Sequence, residues 1–381
     1  MLSRAREIVA KLIERQLAGR LVRQLYLGLL GREPDPIGLG TFLNALRQGS
    51  MTIAQLAAAL TGSDEFKARY SSNITKDPEG CLPPEVEAVC ALFADRTASP
   101  RVGYVTDFTG VVTNVGVIAG LEALSGTVEG LPIPSNFHGE ALEWLGVLRS
   151  VLAAGDRYVI LELGAGWGPW CAISYRAARR RGVRQINVLA IEGDAGHVQF
   201  ITDHFATNHI PDADATILHG AVGVSDGTAE FPRHKTSSAD YGGAASFGES
   251  GAARSGLDYF VALRGDNVAE IERLASYSLD GLLRRFDMID LVHCDIQGAE
   301  LDVLSAAMST LIGRARRVVV GTHSHQLDRD IAMLFAREGW RCEGLSSAVM
   351  RQQADVAVGV RDGCQVWANP ALLPDAQMRQ T

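Results

Sequence analysis

Long apolar runs and paired cysteines are both missing from this sequence of 381 residues. A helix that spans a bilayer needs about 20 consecutive apolar residues, and no stretch approaches that length. The six cysteines include no Cys-x-x-Cys pair, and a chain of this size needs no disulfides to hold its core, so we predict reduced thiols. The basic residues near the N-terminus are interspersed with apolar ones, unlike the continuous apolar core of a signal peptide. We therefore expect a cytoplasmic protein.

Lysine and arginine are also in short supply. The chain has 36 of them against 44 aspartates and glutamates, for a formal net charge of -8. Phosphate backbones are held by clustered basic side chains, so we expect no nucleic acid partner. What is present, 47% apolar and 21% charged residues, is typical of a folded protein, and the length allows two or three domains.

Residues 1–75 are predicted to form a small all-α module. Their apolar positions recur at helical spacing on both sides of a turn at 31–40. The prolines of this turn are expected to end the first helix, while Gly38 and Gly40 permit a tight reversal of the chain.

The turn of this module reads LGREPDPIG, and its Arg32 and Asp35 are expected to form an ion pair. Through this motif, residues 25–66 resemble a helical module related to phycobilisome linker domains, whose hallmark is an LGR-x-PD-x-x-G turn between two helices. The basic first helix could pack on the module, which we favour, or lie against an anionic membrane or a protein partner.

After the module, residues 76–135 show a weak pattern interrupted by prolines, and we interpret them as a connector that packs on the next domain. From 136 to 381, strands alternate regularly with helices. This alternation predicts a Rossmann-like α/β domain, a parallel sheet with helices on both faces. Three apolar segments near the end, CEGLSSAVM, VAVGV and CQVWA, are expected to close the sheet at one edge.

The first strand of this domain, RYVILEL, runs into ELGAGWG at 162–168, an E-x-G-x-G-x-G turn that opens into a helix. Glycines in such a turn let the backbone pass close to a ligand and aim the helix N-terminus at it. The G-x-G-x-x-G motif of dinucleotide-binding sites has its third glycine at the position that Pro169 occupies in this sequence. The turn therefore favours S-adenosylmethionine over NAD as the cofactor. The residues of the turn predicted to contact this cofactor are Glu162, Gly164, Ala165, Gly166 and Gly168.

The next two strands supply the rest of the predicted cofactor site. The second strand, INVLAIE, ends in Glu192, 28 positions after Gly164, where a carboxylate can accept hydrogen bonds from both ribose hydroxyl groups. Gly193 follows it directly. The third strand, ATILHGAVG, contains His219 and Gly220, which we expect near the adenine ring.

The fourth strand opens the most distinctive run of the sequence, IDLVHCDIQGAELDVL. Together with LELGAGWGPW, IEGD and RRVVVGTHSH, it resembles the FkbM family of methyltransferases, whose D-[IV]-[EQ]-GAE-x-x-[VL]-L signature runs here from Asp295 to Leu304. The resemblance covers residues 136–369. It implies a class I methyltransferase fold, S-adenosylmethionine as cofactor, and methylation of hydroxyl groups on sugars and polyketide-like molecules. Two departures are Gln297, where many members have Glu, and GTHSH, which lacks the carboxylate that many carry before the His.

Methyl transfer to a hydroxyl group needs in-line positioning of the acceptor and removal of its proton. Asp295 ends the fourth strand and His323 ends the fifth, so either is a candidate general base, and the sequence leaves the choice open. Asp295 is also predicted to contact the cofactor. Glu300 is expected to cap backbone amides, and His293 to be a satisfied core histidine. Asp295, Glu300, His323 and His325 also suit a divalent metal ion, but no second carboxylate is fixed by spacing, so we predict a metal-independent reaction.

A run rich in Gly, Ala and Ser between Phe231 and Phe260 contains Tyr241 and Arg254. We predict a substrate lid here rather than a disordered insertion. The activity that these patterns favour is O-methylation of a glycan or of another hydroxyl-bearing small molecule. Two alternatives are an NAD(P)-dependent oxidoreductase on the same fold and a scaffold protein that binds S-adenosylmethionine without catalysis.

Overall fold

The computed structural model describes residues 22, 23, 26, 34–47, 51, 56, 60, 85–247, 267–353 and 356–373. The chain forms two compact units, Met1–Cys81 and Leu82–Thr381. Over the described ranges, no helix combines the length and the apolarity that a membrane span requires.

In the first unit, helix α1 spans Pro36–Arg47. Proline suits the first turn of a helix, and the Asp35 carboxylate accepts a hydrogen bond of 2.8 Å from the Gly38 amide, as an N-cap residue does. The predicted glycine reversal is therefore wrong, since these glycines lie inside α1. Gly38 serves packing instead, because a Cβ there would lie 2.6 Å from the Tyr26 hydroxyl oxygen. Arg32, and with it the predicted ion pair, lies outside the described residues.

Residues 85–135, expected to be a connector, contain a helix and a small sheet within the second unit. Their elements are helix α2 (Glu85–Leu92) and the strands β1 (Tyr104–Thr106), β2 (Val112–Asn114) and β3 (Thr127–Val128), which pair in the order β2-β1-β3. Two ion pairs fasten this segment to the helices that follow. Arg149 lies 2.7 Å from Glu85, and Arg176 lies 2.8 Å from Asp95.

The remaining strands are β4 (Arg157–Leu163), β5 (Gln185–Glu192), β6 (Ala215–His219), β7 (Ala221–Gly223), β8 (Gly227–His234), β9 (Val268–Ser278), β10 (Leu291–Cys294), β11 (Arg317–Thr322), β12 (Arg341–Ser346), β13 (Val349–Gln353), β14 (Val356–Arg361) and β15 (Gly363–Ala368). The remaining helices are α3 (Ala141–Leu152), α4 (Pro169–Arg180), α5 (Ala195–Thr207), α6 (Leu279–Leu283), α7 (Glu300–Arg314) and α8 (His325–Arg337).

Seven of these strands form the main sheet, in the order β12-β15-β11-β10-β4-β5-β6. The five from β11 to β6 are parallel, and β15 lies antiparallel between β11 and β12. From β4 the chain moves outward through β5 and β6, whereas β10 and β11 add on the other side of β4. Ligands of such sheets bind at the carboxyl ends of the strands, where the order reverses. The predicted Rossmann-like α/β fold is thus confirmed.

The closing strands differ from the prediction that all three apolar segments form one edge. CQVWA lies in β15, which is inserted inside the sheet, and CEGLSSAVM begins in the edge strand β12. VAVGV lies in β14, which pairs with β13 in a separate two-stranded sheet. The residues of β15 are all buried, which agrees with a strand that has neighbours on both sides.

Alternating side chains of β4 build a core on each face of the sheet. Tyr158 and Ile160 pack in one core with buried residues of α3 and α4. Val159 and Leu161 pack in the other core with residues of α6, α7 and α8. The turn that follows β4 therefore leaves a strand that is fixed on both faces.

The third predicted strand, ATILHGAVG, is two strands separated at Gly220. β6 belongs to the main sheet, and β7 pairs with β9 in a second sheet of order β7-β9-β8. The break has a steric reason, because a Cβ on Gly220 would lie 2.6 Å from the Ala275 carbonyl oxygen. The backbone of β9 thus passes too close for any other residue.

Candidate active site

A cavity of about 570 Å³ lies where the main sheet reverses its strand order. Its walls come from the turn after β4, from the residues that follow β5 and β10, and from segments 118–119 and 238–243 outside the sheet. The predicted cofactor residues that line it are Glu162, Gly164, Ala165, Gly166, Glu192, Gly193, Gly220 and Asp295. Motifs far apart in the chain thus meet in one place.

The glycine turn is packed between two other parts of the site. Gly164 and Gly166 have φ angles of 72° and 56°, in the left-handed region that favours glycine. A Cβ on Gly164 would lie 1.8 Å from the Asp295 carbonyl oxygen, and one on Gly166 would lie 3.1 Å from the Tyr241 ring. The turn therefore touches the loop after β10 on one side and the segment around Tyr241 on the other.

Glu162 is 1% exposed and caps the helix that follows the turn. Its two carboxylate oxygens accept hydrogen bonds from the amides of Trp170, at 3.1 Å, and Cys171, at 2.7 Å. Burial raises the pKa of Glu162 to about 7. The first amides of α4 are thus occupied by the chain's own carboxylate, and the role of Glu162 at the cavity is to hold α4 against β4.

Glu192 ties the end of β5 to the glycine turn. One carboxylate oxygen accepts a hydrogen bond from the Gly166 amide and the other from the Asp194 amide, both at 2.8 Å. The His197 ring nitrogen Nδ1 lies 3.5 Å away. Because each carboxylate oxygen has two lone pairs, the side chain can accept further hydrogen bonds from the cavity that it lines.

Asp194 caps α5, accepting hydrogen bonds from the amides of Gly196 and His197 at 2.9 and 3.0 Å. It also lies 3.0 Å from Nδ1 of the buried His234 ring. Although burial alone would raise it, hydrogen bonds from His234 and Ser237 hold the pKa of Asp194 well below its ordinary value. This charged cap fixes the start of α5 beside the cavity.

Tyr241, from the predicted lid, lies directly on the site. Its ring stacks on His197 with a centroid distance of 4.1 Å and an interplanar angle of 3°. It meets Trp167 edge to face at 5.2 Å, and its hydroxyl donates a 2.5 Å hydrogen bond to the Val117 carbonyl. Arg254, the other lid residue singled out by the sequence, lies outside the described residues.

Asp295 and His323 are neighbours at the ends of β10 and β11. The His323 nitrogen Nε2 lies 3.0 Å from Asp295 Oδ1 and 3.3 Å from Glu300 Oε1, and Nδ1 lies 3.1 Å from Asp362 Oδ1. Burial would lower the pKa of His323, but Asp295 foremost, with Asp362 and Glu300, holds it well above the ordinary value. The His323 charge in turn lowers the pKa of Asp295 against the effect of burial.

This pairing bears on the choice of general base. An imidazole with a strongly raised pKa is already protonated at neutral pH and has no lone pair to accept a proton. The geometry thus argues against His323 as the base, and Asp295 is the member of the pair that lines the cavity.

Glu300 also has the structural role that the sequence predicted. Its carboxylate oxygens accept hydrogen bonds from the Ile296 amide at 2.8 Å and the Gly298 amide at 2.9 Å.

Besides His323 and Glu300, which lie behind Asp295, three more described residues singled out by the sequence are not among the lining residues. A Cβ on Gly168 would meet the Phe205 ring at 2.9 Å, so this glycine permits the packing of α5. His219 turns to the Gly193 carbonyl oxygen, 2.9 Å from Nε2, and leaves 40% of its side chain exposed. His325 begins α8, and its side chain is 66% exposed.

One wall of the cavity contains residues to which the sequence analysis gave no role in the site. It contains His138, Glu143, Trp167, Trp170 and His293. The His293 nitrogen Nε2 lies 3.3 Å from Glu143 Oε1, while its buried Nδ1 has no hydrogen-bond partner. The prediction of a satisfied core histidine is thus only half right. No short motif marks this wall, because Glu143 and His293 are 150 positions apart.

The charge of the cavity is one-sided. Its lining carboxylates are Glu143, Glu162, Glu192, Asp194, Asp240, Asp295 and Asp362, and among its described lining residues there is no lysine or arginine. A concave site of this kind attracts cations and repels phosphate groups.

Comparison with known proteins agrees with this arrangement. Residues 161–342 match the Methyltransferase FkbM domain. A protein of Jannaschia sp. (strain CCS1) described as "Putative methyltransferase" is 30% identical over 277 residues, which cover 72% of this chain and 95% of that protein. Residues 16–70 match a domain of unknown function, DUF4214, so the likeness to phycobilisome linkers finds no support here.

Among solved structures, the precorrin-6y C5,15-methyltransferase of Geobacter metallireducens GS-15 is similar, with a TM-score of 0.34 and 10% identity, covering 60% of this chain and 87% of its own. The C-terminal domain of the precorrin-6Y C5,15-methyltransferase of Rhodobacter capsulatus gives a TM-score of 0.33 and 11% identity, covering 60% and 89%.

Proposed function

Since the chain belongs to the FkbM methyltransferase family, and is therefore an S-adenosylmethionine-dependent methyltransferase, we propose that it methylates a hydroxyl group of a glycan or of a glycosylated or polyketide-like metabolite. The observation that carries this proposal is the acidic cavity, without lysine or arginine among the described residues that line it. Its carboxylates complement the cationic sulfonium and ammonium groups of the cofactor and would repel a phosphorylated acceptor. A neutral, hydroxyl-bearing molecule meets no such repulsion.

The residues of the site fit S-adenosylmethionine. Glu192 keeps free lone pairs for the two ribose hydroxyl groups, and Gly166 places bare backbone at the cavity. The same carboxylates disfavour NAD, whose pyrophosphate is an anion that needs amide or basic partners.

The chain's contribution to the chemistry lies mainly at Asp295. When bound, the cofactor supplies a methyl group that is already activated. Asp295 presents its carboxylate to the acceptor hydroxyl, orients the O–H bond and takes the proton. His323 is a positioning residue, because it keeps this carboxylate ionised and in place.

Two measurements test the proposal. We expect calorimetric titration to show one S-adenosylmethionine bound per chain and no heat with NAD. Mass spectrometry of cell glycans and metabolites, with and without the protein, should show a product heavier by one methyl group on an oxygen. Methylation that appears only on nitrogen or carbon would contradict the hydroxyl assignment, while cofactor binding without any product would support the scaffold alternative.

Replacing Glu192 by alanine should weaken S-adenosylmethionine binding by about 1.5 to 3 kcal/mol, the worth of hydrogen bonds to a charged acceptor. This corresponds to a dissociation constant raised about 10- to 150-fold in a calorimetric titration. Glu87→Ala, at an exposed position of α2, is the matched control and should leave the affinity unchanged. An affinity for Glu192→Ala within twofold of the parent would show that the ribose is held elsewhere.

A further inference from the structure

Three carboxylates surround one imidazole at the edge of the cavity. Asp295 and Glu300 face Nε2 of His323, and Asp362 faces Nδ1. We propose that Asp295, Glu300 and His323 bind a divalent first-row transition ion, of which Mn²⁺ and Zn²⁺ are the probes.

The distances match those of ligands that share an ion. Nε2 of His323 is 3.0 Å from Asp295 Oδ1 and 3.3 Å from Glu300 Oε1, and one ligand atom of each residue lies within 4.8 Å of the others. Two atoms that are each about 2.1 Å from an ion, at about 90 to 109° to one another, are separated by about 3.0 to 3.4 Å. The two distances to Nε2 thus fit an ion as they stand, whereas a separation of up to 4.8 Å between the two carboxylate oxygens would have to shorten to about 3.0 to 3.4 Å.

The imidazole nitrogen in this group lacks a directed partner. Nε2 of His323 is buried and makes no hydrogen bond, although two carboxylate oxygens are within reach. A buried nitrogen left in this way is costly unless its lone pair or its proton is used. Coordination of an ion supplies the missing interaction.

The other atoms around the three side chains have the arrangement of an outer coordination shell. Nδ1 of His323 lies 3.1 Å from Asp362 Oδ1, so an ion that displaces the proton of Nε2 would leave the remaining proton on Nδ1, where Asp362 accepts it. Glu300 is fully buried and oriented by the Ile296 and Gly298 amides. The Gln297 side-chain amide donates to Asp295 at 3.1 Å. Each carboxylate keeps lone pairs that can face an ion.

The net charge of this group also favours a bound cation. Three carboxylates against one imidazole leave an excess of negative charge even if the ring is protonated, and burial of Glu300 makes that excess costly. A dication reduces it. One imidazole with two carboxylates suits Mn²⁺ or Zn²⁺ better than Mg²⁺, which prefers oxygen ligands and water.

The location of the ion suggests a role in binding the acceptor, and this role rests on the function proposed above. Asp295 and Asp362 line the cavity, so an ion held beside them has open positions toward the acceptor. A hydroxyl oxygen bound there would be oriented, and its pKa would fall. The sequence had offered Asp295, Glu300 and His323 as possible ligands together with His325, but the structure replaces His325, which is exposed, by Asp362 as the fourth side chain of the group.

The test measures the ion directly, in the full chain, without cofactor or acceptor. Protein stripped with a chelator is titrated with Mn²⁺ while the electron paramagnetic resonance signal of the free ion is followed, and Zn²⁺ binding is measured by calorimetry. We expect one ion per chain, and an affinity at least about 10-fold lower in His323→Ala and in Asp295→Asn, since each loses one of three protein ligands. His325→Ala, at an exposed position two residues along, should bind normally.

Failure to bind one equivalent of either ion, or unchanged binding in His323→Ala, would overturn the proposal. Circular dichroism and S-adenosylmethionine calorimetry on the variants confirm that they are folded. Full methylation of the acceptor after exhaustive chelation would refute the ion's role alone. Stoichiometric ion binding in a protein that methylates no hydroxyl would refute the acceptor assignment and leave the ion site standing.

Discussion

Gly166→Val should abolish measurable S-adenosylmethionine binding in a chain that remains folded. Gly166 has a φ of 56°, which costs a residue with a side chain about 1 to 2 kcal/mol. Its Cβ would lie 3.1 Å from the Tyr241 ring, and a branched side chain adds about 1 to 3 kcal/mol of overpacking. The turn can relieve these costs only by leaving its present conformation, and a valine that stays in place occupies cavity space beside the cofactor, so we expect a loss of affinity larger than about 100-fold.

The matched control is Gly155→Val, at an exposed glycine where a Cβ would meet no atom within 4 Å. Titration calorimetry gives the affinities, and thermal unfolding by circular dichroism shows that both variants are folded. Gly166→Ala should fall between the parent and the valine variant. A folded Gly166→Val protein with the parent affinity would remove this turn from the cofactor site.

The second large effect is expected at Asp295. Asp295→Asn keeps the shape of the side chain but removes the charge that takes the acceptor proton, so turnover should fall about 100-fold or more, the usual size of such a contribution. S-adenosylmethionine affinity should change little. His323→Ala should cost a similar factor, and the double variant no more than either single one, because the two side chains act as a unit.

The turnover rate is measured as the rate at which S-adenosylhomocysteine is released, with the acceptor that mass spectrometry identifies as substrate. Asp302→Asn, at an exposed position on α7, is the matched control and should retain the parent rate. Additive losses in the double variant would show that Asp295 and His323 act independently. If both single variants keep the parent rate, acid–base catalysis by these residues is ruled out, and the chain contributes to catalysis only by positioning the acceptor.

Local patterns predicted much of this molecule. The turn at 162–168, the end of β5 at Glu192 and the signature beginning at Asp295 each follow a buried strand, and a parallel sheet brings such strand ends together. The helix cap at Asp194 is also a local feature, because the amides that it accepts hydrogen bonds from are only two and three residues away in the sequence.

What the sequence could not supply are partnerships between distant residues. The insertion of β15 between β11 and β12 depends on pairing choices that no local pattern encodes. The partners of His323 come from two distant segments, because Asp295 and Glu300 belong to the signature while Asp362 has no motif around it. The division of the third strand at Gly220 depends on the close passage of β9, more than 50 positions later.

The position of Tyr241 has a consequence for how the site is entered. Its ring lies against Gly166, stacks on His197 and donates a hydrogen bond to the Val117 carbonyl, so it forms the side of the cavity that faces the glycine turn. The hydrogen bond and the stacking must both break before this ring can move. Any widening of the cavity beside Gly166 is therefore coupled to the loss of these two contacts.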